Sequence, residues 1–146
     1  MEKQTKSIER ATPGVGYEIK QTLNLSERQI IDGAMAIGDR NPIHTDAAHP
    51  NTQKFGGLVA SGSFVTGVFS ALLPSDFINY GPMLGSHMDV KFKAPIRADV
   101  DYFMSWVVDS LEYKKSLNGT VYNMVGTVLD GNDKVMVRAN ASIVLY

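Results

Sequence analysis

The sequence predicts an α+β fold in which an antiparallel β-sheet wraps around a central α-helix. Three observations carry this. Helical periodicity occupies the first half of the chain and strand alternation the second, an order that segregates helices from sheet. The late strands are joined by short turn sequences, "LNGT" (117–120) and "DGND" (130–133), and such turns connect antiparallel neighbours. The segment "SGSFVTGVFSALLP" (61–74) reads as a helix without a charged residue, and a helix of that kind is wrapped by other structure.

The elements follow in chain order. Residues 1–12 are expected to be a flexible tail, and residues 13–146 a single domain, as the length of 146 residues suggests. A chain of this size buries about two-thirds of its unfolded surface and holds a core without disulfides or metals. "YEIKQTLNL" (17–25) alternates in part and predicts a strand. "SERQIIDGAMAIG" (26–38) predicts a helix, with Ser26 and Gln29 forming a capping box. Ile30, Ala34 and Ile37 would share its apolar face, and Gly38 would close its C-terminus. "TDAAHPNTQKFGG" (45–57) suggests a short helical turn and a glycine-rich bend. Strands are expected over 86–95, 99–113, 119–130 and 134–146. In the last, Val135, Val137, Ala139, Ala141, Ile143 and Leu145 alternate with mainly polar partners.

Composition excludes several functions. Charged residues make up 20% of the chain and the formal net charge is -1, which argues against nucleic acid or an anionic membrane as the main partner. The absence of cysteine excludes disulfides, zinc thiolate sites and thiol nucleophiles. The opening "MEKQTKSIER" is polar and no apolar segment follows, so no secretory signal is expected. The longest apolar run is too short to span a bilayer. The expected localisation is cytoplasmic.

The stretch richest in chemistry is "GDRNPIHTD" (38–46). Asp39 and His44 lie five apart, so no helix face brings them into register. Between them Asn41-Pro42 bends or extends the chain, because proline disfavours the α region for its predecessor. A bent loop can aim both side chains at one spot, and a carboxylate and an imidazole sharing a water molecule form an acid–base pair. The plainer reading is that Asp39 only holds a turn through its own backbone. His44, Asp46 and His49 fit no tight metal-ligand spacing, so no metal is expected. "VASGS" lacks the G-x-S-x-G pattern of a nucleophile elbow.

A second stretch, "FGGLVASGSF" (55–64), places Ser61 and Gly62 at the start of the apolar helix. Free N–H groups there suit a carbonyl oxygen gaining negative charge. Gly56 and Gly57 read as packing glycines.

Together, "GDRNPIHTD" and "FGGLVASG" resemble the hydratase motif of the MaoC-like (R)-specific enoyl-CoA hydratases and dehydratases, whose fold is the hotdog. The motif runs G-D-x-N-P-[LI]-H-x-D and then F-G-x-x-[VI]-[AH]-x-G. "VKFKAPIRADV" (90–100) is similar to a later strand segment of the family, with Ala98 where glycine is usual. The resemblance implies reversible hydration of a trans-2-enoyl thioester to the (R)-3-hydroxyacyl product. In this pattern Asp39 and His44 would be the catalytic pair, and the Gly62 N–H would hold the thioester carbonyl. Asn41 would shape the loop. Ser61 stands where some relatives carry histidine, and Ser70 matches a helix position where some carry a serine near the site. The implied substrate is an acyl-CoA or acyl-carrier-protein thioester, with no other cofactor. The implied assembly is a homodimer joined through sheet edges. Lys91, Lys93 and Arg97 are candidates for the CoA phosphates by charge alone.

Two alternatives stand beside this reading. A hotdog thioesterase would use a carboxylate on the central helix, and residues 61–74 contain none. A non-catalytic acyl-CoA-binding or dimerisation module would not need Asp39 and His44, and both are present.

Overall fold

The computed structural model describes residues 11–146; most of the expected tail at 1–12 therefore lies outside the described residues. Five strands and four α-helices appear in the order β1 (Glu18–Leu23), α1 (Glu27–Ala36), α2 (Pro50–Lys54), α3 (Gly62–Ser70), α4 (Leu72–Phe77), β2 (Met83–Phe92), β3 (Tyr102–Lys114), β4 (Gly119–Leu129) and β5 (Val135–Leu145). A short 3-10 turn, Pro42–His44, lies between α1 and α2. The strands form one sheet in the order β1-β3-β4-β5-β2, with every neighbouring pair antiparallel. This is the α+β architecture that the sequence predicts.

Strand register explains where the helix sits. Across β3, β4 and β5, Trp106 stands opposite Gly126 and Gly126 opposite Ala139. Met104 likewise aligns with Val128 and Val137, and Val108 with Met124 and Ala141. All the non-glycine members of these rows are buried. They make one face of the sheet apolar, and α3 lies on it. The Phe69 ring of α3 stacks on Trp106 at a centroid distance of 4.4 Å, and the Trp106 indole N–H donates to the Phe69 carbonyl at 2.9 Å. The small residues of the central row make room for that pair, and an aromatic contact of this kind adds to the apolar burial.

Several expectations are corrected in detail. The helix expected over 61–74 ends at Ser70 and resumes as α4. Pro74 lacks an N–H and its ring crowds the carbonyl four residues back, which is that of Ser70. The helix is not fully wrapped either: Val65 and Phe69 are buried, whereas Ser63, Gly67 and Ala71 are exposed. Within the single chain the sheet covers one side of it. Ile37 is 49% exposed and does not join Ile30 and Ala34 in the core, because the helix ends at Ala36 and Ile37 leaves its axis. The capping box of Ser26 and Gln29 is formed as expected. Strand β2 begins three residues earlier than the alternation suggests. It is an edge strand, and Leu84, Met88 and Phe92 on it are exposed. No helix among the described residues is long and apolar enough to cross a membrane.

Candidate active site

Asp39 is placed by the way α1 ends. Gly38 has a φ of +76°, a left-handed conformation that glycine adopts without penalty. Its N–H donates to the Met35 carbonyl at 3.1 Å, and the Asp39 N–H to the Ala34 carbonyl at 2.9 Å. These two bonds form a Schellman cap, which fixes the direction in which Asp39 leaves the helix.

His44 is placed by the turn that follows. The Asn41 side chain accepts from the Ile43 N–H at 3.3 Å and opens the 3-10 turn, with Pro42 in its first position. The Asn41 N–H in turn donates to Asp39 Oδ1 at 3.1 Å. Thr52 of α2 is fully buried; its hydroxyl donates to the Asp46 carbonyl at 2.7 Å and lies 2.9 Å from the Pro42 carbonyl, pinning the loop from below. The Nδ1 of His44 hydrogen-bonds the Val59 carbonyl. A carbonyl only accepts, so Nδ1 carries the proton and Nε2 faces the cavity.

The loop therefore brings Asp39 and His44 together. His44 Nε2 lies 3.5 Å from Asp39 Oδ2, with the imidazole 9% exposed and the carboxylate 28%. Ser61 is fully buried and donates to Asp39 Oδ2 at 2.7 Å. That hydrogen bond and the Asn41 N–H hold the Asp39 carboxyl below its ordinary pKa of 3.8. The nearby imidazole adds to the effect, and partial burial opposes it.

Gly62 is the first residue of α3, so its N–H has no partner within the helix. Gly62 and His44 line one cavity of about 430 Å³, together with Val65, Phe92, Lys93 and Pro95. The segment before Gly62 is held on both sides. The Val59 N–H donates to the Ile43 carbonyl at 3.0 Å, and the Ala60 N–H to the Ile96 carbonyl at 2.9 Å. On its other side Asp39 borders a second cavity of about 330 Å³, with Met35, Gly38, Arg40 and Thr45.

Asp39, Asn41, His44, Ser61 and Gly62 thus converge. Ser70 does not. It lies eight residues along α3, roughly 12 Å of helix rise from Gly62; its hydroxyl donates to the Gly67 carbonyl at 3.2 Å, and it lines a different cavity beside β2. Lys93 stands at the rim of the Gly62 cavity, whereas Arg97 donates to the Gly57 carbonyl at 3.3 Å. His49 caps α2 by accepting from the Asn51 N–H at 3.1 Å. Among the described residues no three metal-ligating side chains stand together. Phe92 lines this cavity without having been singled out in the sequence, and Val59, a position of the second motif, takes part through its backbone carbonyl. Phe92 belongs to the quoted strand segment "VKFKAP", but only the folded sheet brings it to Gly62.

The arrangement can hold one water molecule between a carboxylate oxygen and an imidazole nitrogen, beside an N–H able to polarise a carbonyl. Comparison with known proteins shows the family and the fold. No curated protein matches the chain by sequence. Among solved structures, the (R)-hydratase from A. caviae involved in PHA biosynthesis superposes with a TM-score of 0.80. It is 18% identical, and the match covers 94% of this chain and 100% of that one. The R-hydratase PhaJ1 from Pseudomonas aeruginosa gives a TM-score of 0.73 at 25% identity, covering 91% of this chain and 82% of that one. The HadBC (3R-hydroxyacyl-ACP dehydratase) complex from Mycobacterium tuberculosis gives 0.75 at 13% identity, covering 91% and 98%. The MaoC-like domain profile matches residues 9–128, which is most of the chain. The chain therefore belongs to the MaoC-like dehydratase family, on a hotdog fold.

Proposed function

We propose that the protein catalyses reversible hydration of trans-2-enoyl thioesters to (R)-3-hydroxyacyl thioesters, with an acyl-CoA or acyl-carrier-protein thioester as substrate. The observation that carries this is the Asp39–His44 pair, 3.5 Å apart and adjoining the cavity that Gly62 lines. Water would donate its hydrogens to Asp39 Oδ2 and His44 Nε2, leaving its oxygen lone pairs free. As that oxygen bonds to C3, the C2–C3 π electrons move toward the thioester carbonyl. The Gly62 N–H stabilises the negative charge that develops there. The proton removed from water is returned to C2. One O–H bond and the C2–C3 π bond break, one C–O and one C–H bond form, and there is no net oxidation or reduction, so the reaction needs no redox cofactor. The reverse sequence is dehydration. Support for the (R) product comes from the family motif and from the hydratases that share the fold. The face of C3 presented to the pair decides the stereochemistry.

A homodimer joined through β2 completes the reading. An edge strand carrying exposed Leu84 and Met88 offers unpaired backbone groups and apolar surface to a second copy.

The test is crotonyl-CoA hydration, followed by loss of enoyl-thioester absorbance. The wild type should consume the substrate and release no free thiol. Asp39→Asn and His44→Ala should each lower turnover by on the order of 10²–10⁴-fold. A folded variant with full activity would remove its residue from the pair.

A further inference from the structure

Phe92 ends strand β2 and is 53% exposed. Its ring nevertheless lies beside Gly62 in the proposed site. A Cβ added to Gly62 would lie 3.0 Å from Phe92 Cζ, with the Cε2 and Cε1 atoms at 3.2 and 3.3 Å. The ring edge therefore occupies the space that a side chain at position 62 would fill. It lines the same cavity as His44, Val65 and Lys93. Phe92 faces its β5 partner, the buried Val137, so it points to the helix side of the sheet.

We propose that Phe92 is a specificity-determining residue that limits the bulk an acyl group can carry at C2. This rests on the hydratase reading above. With the carbonyl oxygen at the Gly62 N–H and C3 at the Asp39–His44 pair, C2 lies between them. A hydrogen on C2 needs no further room. A methyl group there must project away from the reacting pair, toward the wall that Phe92 forms beside Gly62. Val65 is part of the buried core, but Phe92 is half in solvent. Truncating it enlarges the cavity without opening the core.

The experiment compares two thioesters, crotonyl-CoA and its 2-methyl homologue tigloyl-CoA, on the wild type, Phe92→Ala and Phe92→Tyr. Phe92→Ala should raise the tigloyl-to-crotonyl ratio of kcat/KM by about 10-fold or more, the scale on which one hydrophobic group discriminates. Phe92→Tyr keeps the ring and should leave the ratio near the wild-type value. Phe92→Leu supplies an intermediate wall, so an intermediate ratio is expected even if Phe92→Ala folds poorly. Unchanged ratios in folded Phe92→Leu and Phe92→Ala that still hydrate crotonyl-CoA would overturn the assignment and leave the hydratase reading intact. A wild type that hydrates neither acyl group, whether carried on CoA or on acyl carrier protein, would instead overturn the hydratase reading, and this one with it.

Discussion

The hydroxyl of Ser61 donates a 2.7 Å hydrogen bond to Asp39 Oδ2, across 22 residues of chain. It is the largest of the influences that lower the Asp39 pKa. Ser61→Ala should therefore move that pKa upward. If the reaction needs ionised Asp39, activity is lost as pH falls through this pKa. The acidic limb of the pH–rate profile should then lie at higher pH in the variant. An unmoved limb would show that Asp39 does not set it. The sign for stability is the same. A depressed carboxyl stabilises the fold above its unfolded value near 3.8, and that contribution is lost as pH falls through the lower folded value. Ser61→Ala should narrow the difference, seen by following unfolding below about pH 4.

Gly62 allows its N–H to be removed with little change of backbone. Proline fits the first position of a helix, and Ser61 already has the extended backbone (φ -57°, ψ 130°) that a residue before proline adopts. Gly62→Pro should lower kcat by on the order of 10²–10³-fold, the loss expected when one oxyanion donor is removed. Gly62→Ala is the control. It adds the same Cβ beside the Phe92 ring and keeps the N–H. Equal losses in the two variants would place the effect in packing and not in the donor.

Gly126 lies beneath the stacked pair of Phe69 and Trp106. A Cβ there would come within 2.6 Å of both rings. Neither ring can withdraw, because Trp106 is buried and tied to the Phe69 carbonyl. Gly126→Ala should destabilise the protein by about 1–3 kcal/mol, read as a lower denaturant midpoint. Since α3 rests on this stack, hydratase activity should fall at temperatures where the variant is still folded. A midpoint equal to that of the wild type would mean that the rings relax into free space.

The dimer is tested by mass. Light scattering should give twice the 16.0 kDa of the chain. Replacing the exposed Leu84 and Met88 of β2 by lysine should shift the protein toward monomer, since charged edge residues oppose strand pairing. A monomeric wild type would remove the second copy from the account.

Local chemistry made much of the fold legible. The capping box of Ser26, the left-handed Gly38 and the turn at 130–133 each depend on residues within a few positions of one another; the turn expected at 117–120 falls two residues earlier, at 115–118, because Gly119 and Thr120 already pair in β4. The alternation in β5 marked its buried face because strand side chains repeat every two residues. Ile37 and the segment 61–74 depart from what their apolar spacing predicts. Apolar spacing does not report where a helix axis ends, and a proline acts on a carbonyl four residues before it.

The sequence by itself determined the loop that carries Asp39, Asn41 and His44, because a Schellman cap, an asparagine turn and a proline are local devices. It also determined the family, since the motif is a run of specified residues. Only the tertiary structure decided which other groups join them. Ser61 reaches Asp39, Val59 orients His44, and Phe92 fills the space beside Gly62, through the approach of segments distant in the chain. Ser70 was left out because helix rise carries it away from Gly62. Such contacts depend on how the sheet curls around α3 and on the register of its strands. No window of sequence contains those distances, so the folded chain alone set them.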